Sequence, residues 1–227
     1  MTSEELKEIL PNDNVKDTVK ESHGLFSYMR KSNNGAVEFV HNHIRDYFLC
    51  EKILIEIDKL YSESDTNAIL SGADLREANL QETNFSETDL CNADLRGAVM
   101  QRANLQNAKL HKAKLHNAQL TNAYLFEADL YKAELQDAVL RKADLRRAKL
   151  IEANLSKTDL SKADLREATL NEADIWITDF READLRDANL HSVKNISCAV
   201  FWNTIYNDKT IFPDEFNISE PEFIKVQ

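Results

Sequence analysis

The residues of this chain that could do chemistry are few and poorly assembled. His41 and His43 form the one metal-like spacing, and they straddle the predicted start of a helix, where a structural or capping role is the simpler reading. The three cysteines, Cys50, Cys91 and Cys198, have no paired spacing and suggest neither a disulfide framework nor a zinc site. With four glycines (Gly24, Gly35, Gly72 and Gly97) there is no G-x-x-x-x-G-K-[ST] phosphate loop, and no nucleophile elbow or carboxylate pair stands in a recognisable context. Asp or Asn fills 15 of 25 positions spaced five residues apart, from Ile69 to Asn189, which could suggest a calcium ladder, but interleaved Lys and Arg would repel a cation. Outward polar residues near corners explain the pattern better. The chain is expected to be no enzyme and to hold no metal or cofactor.

The elements that would position any site come from a repeat. Every fifth residue from Leu70 to Leu190 makes 25 centres, of which 21 are Leu and the others Phe85, Met100, Ile175 and Phe180. Two residues before each centre, 21 of 25 are Ala and the rest Thr83, Thr88, Thr158 and Thr178. A helix turns about 140° in five residues, so the leucines would wind over every face. A long strand fails too, because odd steps alternate sides. A short extended segment followed by a corner succeeds: the small residue and the centre face in, and the other three face out. Repetition makes a coil filled with Ala and Leu, its backbone paired with coils above and below at about 4.8 Å. Nothing between Gly97 and Pro213 is Gly or Pro, so the corners are expected to need neither.

The units "ADLRE", "ANLQE", "ADLRG", "ANLSK" and "ADLRD" carry the A[D/N]LXX signature, and the chain resembles the pentapeptide-repeat family over about 135 residues. The resemblance implies a mainly β fold, a right-handed quadrilateral β-helix with four pentapeptides per coil. Spacing alone does not set the number of sides. Nearly seven coils would make a rod of about 33 Å. Three regions follow: 1–67, a helical or winged-helix-like N-terminal region; 68–205, the β-helix; and 206–227, a C-terminal cap and tail. An open solenoid exposes pairing edges, so caps are expected. Centres fail at Asn195 and resume weakly at Val200 and Ile205. Phe201, Trp202, Ile205, Phe212 and Phe216 are expected to cover the last coil, with a dimer interface from the same residues as the rival. A monomer is the expected state.

In the N-terminal region, "TSEE" (Thr2 to Glu5) fits a capping box, and "LFSYM" and "AVEFV" flank the hairpin signal Asn34-Gly35. A helix is predicted over about 42–61, with Ile44, Tyr47, Cys50, Leu54, Ile57 and Tyr61 on one stripe. Phe39, His41, Asp46, Tyr47, Phe48 and Cys50 resemble the segment that closes the winged-helix region of NACHT-type signalling NTPases. In those proteins it precedes a C-terminal repeat sensor. Without a phosphate loop, NTPase activity does not carry over.

The net charge of −11 lies mostly in the flanks: residues 68–200 hold 21 acids and 18 bases. Within them the balance is −4 over 68–98, +5 over 99–150 and −4 over 151–200. Such banding fits neither a nucleic-acid binder nor a nucleic-acid imitator, so direct nucleic-acid binding is not expected. Outward residues that break the polar rule are the interaction candidates: Tyr124, Phe126 and Tyr131, a basic band of Lys109, Lys112, Lys114, Lys132, Arg141, Lys142, Arg146, Arg147 and Lys149, and a second apolar spot at Trp176 and Ile177. His111 and His116 are expected as solvated surface. No apolar run approaches membrane-spanning length, and a cytoplasmic setting is expected. The function expected is a non-enzymatic protein-interaction or sensor module with an unidentified protein partner, linked by its N-terminal resemblance to a signalling NTPase. The alternative is a DNA-mimicking binder of DNA gyrase of the quinolone-resistance type.

Overall fold

The computed structural model describes residues 29–31, 37–39, 70–218 and 223–226. Strands β1 (Met29–Lys31) and β2 (Val37–Phe39) pair antiparallel, with Met29 opposite Phe39 and Lys31 opposite Val37. The first strand lies further along the chain than the "LFSYM" segment, and the Asn34-Gly35 signal falls in the connection, outside the described residues. The predicted N-terminal helices, the winged-helix reading and the NACHT-like motif beyond the Phe39 backbone also lie outside them.

From Leu70 onward the chain is a β-helix solenoid. The residue before each centre pairs in parallel with the residue twenty positions later, from Asp74 with Asp94 to Asp174 with Lys194. Four pentapeptides therefore fill one coil, and four columns of rungs run up the rod, starting at Asp74, Asn79, Asn84 and Asp89. Every Leu centre from Leu75 to Leu190, and every Ala two residues before a centre from Ala73 to Ala188, is at most 1% exposed.

The backbone explains each letter. In the repeat of Leu75, the Leu75 N–H donates to the Asp94 carbonyl, the Glu77 N–H to the Arg96 carbonyl, and the Asp94 N–H to the Ala73 carbonyl. The Ala78 N–H closes the corner onto the Leu75 carbonyl at 3.2 Å. That leaves the N–H after the centre, which the side chain before it accepts: Arg76 N–H to Asp74 Oδ1 at 3.2 Å. All 15 Asp and Asn residues preceding a centre make this bond. The aspartates and asparagines are thus backbone acceptors, not merely outward polar residues. Where Thr replaces Ala, Thr83, Thr158 and Thr178 are fully buried and Thr88 is half-buried; Thr158 and Thr178 donate to the Leu135 and Leu155 carbonyls at 2.8 and 2.7 Å.

The corners do without Gly or Pro beyond Gly97, as expected, but their conformation is one the spacing does not announce. The second residue after every centre, from Gly72 to Ser192, has φ between 55° and 70°. These positions adopt the left-handed conformation that Gly or Asn takes most readily, although most are Glu, Lys or Arg. Inter-coil hydrogen bonds hold the conformation despite its cost. Ile177 is the one β-branched residue in this set, with φ 55° and 44% exposure. Ile177→Asn should therefore stabilise the protein by about 0.5–1 kcal/mol; a lower urea midpoint in the variant would contradict that reading.

Pairing continues past Leu190 in a shifted register. Asn195 enters a left-handed conformation ahead of the 3₁₀ turn Ile196–Cys198, and Asp179 then pairs with Val200, Asp184 with Ile205 and Asn189 with Ile211. One residue has been added by Val200 and a second by Ile211. The inward centres are consequently Phe201, Tyr206 and Phe212, each one place after a bridge residue, and not Val200 and Ile205. Strand β3 (Thr204–Tyr206) pairs in parallel with β4 (Phe223–Lys225). Phe201 stacks on Phe180 with centroids 5.3 Å apart and lies 4.8 Å from Phe223 and 5.7 Å from Phe216. Phe212 and Tyr206 complete this aromatic closure. Trp202 and Ile205, expected among the covering residues, are displaced outward by the same shift: Trp202 is 49% exposed and Ile205 occupies a rung position.

Candidate interaction surface

Residues twenty apart stack on the rod, so outward side chains far apart in sequence become neighbours. The Asn84 column shows this most clearly. It reads Asn84, Asn104, Tyr124, Asp144, Asp164, Asp184 and Ile205. The corner beside it reads Ser86, Gln106, Phe126, Arg146, Arg166 and Arg186. Amides give way to an aromatic step and then to three Asp–Arg rungs.

Each rung comes from the triplet Asp-Leu-Arg. The buried Leu puts Asp and Arg on the same outward side, and the guanidinium closes on the carboxylate. Arg146 donates through Nε and Nη2 to Asp144 at 2.8 and 2.7 Å, Arg166 to Asp164 at 2.8 and 2.6 Å, and Arg186 to Asp184 at 2.9 and 2.6 Å. Weaker contacts link rungs, with Arg146 Nε 3.7 Å from Asp164 and Arg166 Nε 3.7 Å from Asp184. Beside them Arg147 bridges Glu127 and Glu167 at 3.2 and 2.8 Å. The Arg146 hydrogen bond holds the Asp144 carboxyl below its ordinary value, against a smaller opposing effect of partial burial.

That shift has a defined pH signature. A carboxyl whose folded pKa is depressed contributes stability that is complete above its unfolded value of about 3.9 and is lost as pH falls through the folded value. Asp144→Asn keeps an amide oxygen for the Arg146 N–H but loses the ion pair. It should cost about 0.5–1 kcal/mol at neutral pH and nothing at pH well below the folded value. Equal destabilisation at both pH values in urea titrations would contradict this.

Phe126 lies against the ladder, 5.4 Å from Arg146 Cζ and 5.8 Å from Arg147 Cζ. Tyr124 is 47% exposed on the same face. Together with Lys209 and Asn207 near the C-terminal end, this corner borders an open groove of about 570 Å³. Tyr131 sits around the next corner, where its hydroxyl donates to Glu152 at 3.0 Å and Lys132 lies 5.0 Å over its ring. The structure thus brings Tyr124 and Phe126 onto one face and places Tyr131 on another.

The basic band encircles the rod instead of forming a patch. Lys109 and Lys149 lie in the Asp89 column, Lys114 in the Asp74 column, Lys112 and Lys132 on the corner between those columns, and Arg141 and Lys142 beyond the Asn79 column. Lys132 pairs with Glu152 at 3.1 Å and Lys149 with Asp129 at 3.7 Å. His111 and His116, expected as solvated surface, are only partly exposed and face carboxylates one coil up: His111 Nε2 is 2.9 Å from Asp129 and His116 Nε2 is 3.6 Å from Glu134. Burial pushes the Cys91 thiol up to about 11, which keeps it protonated and unreactive at neutral pH.

A second set of outward apolar residues gathers toward the C-terminal end. Trp176 is 39% exposed with Lys157 Nζ 5.5 Å from its ring, and Ile177, Val200, Trp202, Ile211 and Ile224 are between 43% and 49% exposed. Trp202 borders a smaller groove of about 310 Å³ with Arg141, Ser161 and Arg181. Among the described residues, no cluster of His, Cys, Asp and Glu could hold a metal ion, and no helix is long and apolar enough to cross a membrane.

The family model for pentapeptide repeats (8 copies) matches residues 66–97, 92–125, 103–141, 128–166 and 163–194, which together run from 66 to 194 and cover more than half of the chain. This chain is a pentapeptide-repeat protein. Among curated proteins, none matches it significantly. Among solved structures, this pentapeptide-repeat protein is similar to HetL, a pentapeptide repeat protein involved in heterocyst differentiation regulation in the cyanobacterium Nostoc sp. strain PCC 7120. The identity is 34%, over 63% of this chain and 70% of HetL, with a TM-score of 0.26. It is also similar to a pentapeptide repeat protein of the Arabidopsis thaliana thylakoid lumen, at 25% identity over 55% and 66% of the two chains, with a TM-score of 0.30. Trypsin-treated QnrB1, a plasmid-mediated fluoroquinolone resistance protein, matches at 18% identity over 72% and 86%, with a TM-score of 0.37.

Proposed function

We propose that this pentapeptide-repeat protein is a non-enzymatic interaction module, a right-handed four-sided rod that presents side chains to a protein partner. The observation that carries this reading is the division of labour within the repeat. Ala, Leu and Asp or Asn are consumed in packing and backbone bonding, while Tyr124, Trp176, Ile177 and Trp202 remain exposed on a rigid support. Exposed aromatic side chains on a rigid element suit protein recognition. The N-terminal resemblance to NACHT-type proteins suggests a signalling NTPase as the partner class and a cytoplasmic setting, with the rod acting as a monomer whose end is closed by its own aromatic residues.

A photo-crosslinking residue placed at Trp176 or Trp202 tests the proposal in cell extract. The expected result is a discrete adduct lost when the crosslinker is moved to the buried Leu145 position. Absence of an adduct from every exposed position would overturn it. The gyrase reading is not favoured, because the Asp–Arg rungs neutralise the carboxylates of the Asn84 column and a DNA-like face needs them unpaired.

A further inference from the structure

The three arginines of the Asn84 face are only partly used. Nε and Nη2 of Arg146, Arg166 and Arg186 bind the aspartates, while Nη1 of each makes no hydrogen bond among the described residues. The guanidiniums stay accessible at 43%, 38% and 35% side-chain exposure, with their carboxylates less exposed behind them at 21%, 30% and 16%. The face therefore presents a straight row of hydrogen-bond donors, each held flat by a bidentate pair. Phe126 stands one coil below Arg146 and Tyr124 lies beside it.

Rung spacing selects the shape of what can lie there. Successive coils are about 4.8 Å apart, and an α-helix advances about 5.4 Å per turn. Residues on one face of a helix, at i, i+4, i+7 and i+11, meet four successive rungs with a mismatch of about 0.6 Å per turn, within the reach of Arg and Glu side chains. An extended strand repeats on one face at about 6.8 Å and falls out of step after one rung. Nη1 donors call for carboxylates, and the aromatic step calls for an apolar residue one turn before them.

We propose that the Asn84 face docks an acidic amphipathic helix of a protein partner, lying along the rod with one apolar residue on Tyr124 and Phe126 and successive Glu or Asp residues on Arg146, Arg166 and Arg186. The inference rests on the interaction-module reading and deepens it by naming the surface and the chemistry of the partner. The preorganised forks cost the partner little ordering on the rod's side. The binding is charge-assisted at an exposed site, so it weakens with added salt.

The test uses the full chain and a fluorescent, side-chain-stapled helical peptide with Leu followed at i+4, i+7 and i+11 by Glu, together with its Gln counterpart. Anisotropy titration should show the Glu peptide binding at least about tenfold more tightly than the Gln peptide. The triple variant Arg146→Gln, Arg166→Gln, Arg186→Gln should lose about tenfold or more of that binding. Arg166→Gln alone, which disturbs only one rung, should lose about threefold. Arg181→Gln removes the same kind of pair from the Asn79 face and should change nothing. Circular dichroism establishes that each variant is folded. Equal binding of both peptides, undiminished binding in the Arg166→Gln variant, or preferential displacement by single-stranded DNA would overturn the proposal. Failure of the peptide leaves the interaction-module reading standing if crosslinks form at Trp176 or Trp202.

Discussion

Leu145→Ala is expected to lower the free energy of unfolding by about 2–5 kcal/mol. Leu145 is 0% exposed and stacks in a column between the equally buried Leu125 and Leu165. Its own backbone is fixed at both ends of the corner, the Leu145 N–H donating to the Asp164 carbonyl at 2.7 Å and its carbonyl accepting from the Ala148 N–H at 3.0 Å. With the coil pinned on four sides, the wall cannot collapse into the space left by the side chain, so the cavity cost adds to the transfer cost. A urea titration reads the effect as a fall in midpoint with an unchanged slope. Lys112→Ala, at an exposed corner two residues past a centre, should stay within about 0.5 kcal/mol of the parent. A Leu145→Ala loss as small as that of Lys112→Ala would mean that the interior is not close-packed.

Phe201→Ala should cost about 3–5 kcal/mol, and its effect should be local. Phe201 is 7% exposed and touches the rod through Phe180 and the terminal segment through Phe216 and Phe223. A solenoid's stability is a sum of coil and nearest-neighbour contributions, so loosening the end frays the adjoining coils first. Hydrogen exchange should show lost protection at the Phe180 and Leu185 amides, which donate to the Val200 and Ile205 carbonyls. The Leu125 amide, three coils below, should remain protected. Uniform loss along the rod would contradict an end-closing role for Phe201.

The interior was legible in the sequence because its letters recur at positions with one physical demand. Leu at the centre and Ala two residues before it repeat without a slip from Leu70 to Leu190, and inward placement follows from extended geometry alone. The twenty-residue coil was not derivable from a five-residue period, since a three- or five-sided coil would bury the same letters; long-range pairing such as Asp74 with Asp94 decides it. The corner conformation left only a faint compositional mark, Gly72, Gly97 and four asparagines, because most of these positions are Glu, Lys or Arg held left-handed by bonds between coils rather than by their own preference. Asp and Asn before the centre are legible as outward polar residues near corners; the signal for their role is the capacity of an Asx side chain to bind the N–H two residues on.

The end of the rod departs from the five-residue spacing by one residue. Asn195, a residue type that tolerates the left-handed region, marks the insertion that moves Phe201 inward and Ile205 outward. The candidate surface was legible only in part. Tyr124 and Phe126 announced themselves as exceptions to the polar rule, but Arg146, Arg166 and Arg186 become neighbours only when the chain is wound, and two of the three had no feature to separate them from other outward arginines. Conversely, the basic band looked continuous in sequence because successive corners follow one another along the chain, whereas in space it is distributed around the circumference.

The central claim is that four pentapeptides make one coil, so that residues twenty apart are neighbours on one face. A paired-cysteine measurement in a background lacking Cys50, Cys91 and Cys198 addresses it directly. Gln119→Cys with Val139→Cys joins two residues that pair across adjacent coils, within the Cα separation of about 4.4–6.8 Å that a disulfide requires. Gln119→Cys with Glu134→Cys places the second thiol on a different face. Mild oxidation followed by mass spectrometry should find a near-complete disulfide in the first variant and free thiols in the second; a disulfide in the second and none in the first would contradict the four-sided coil.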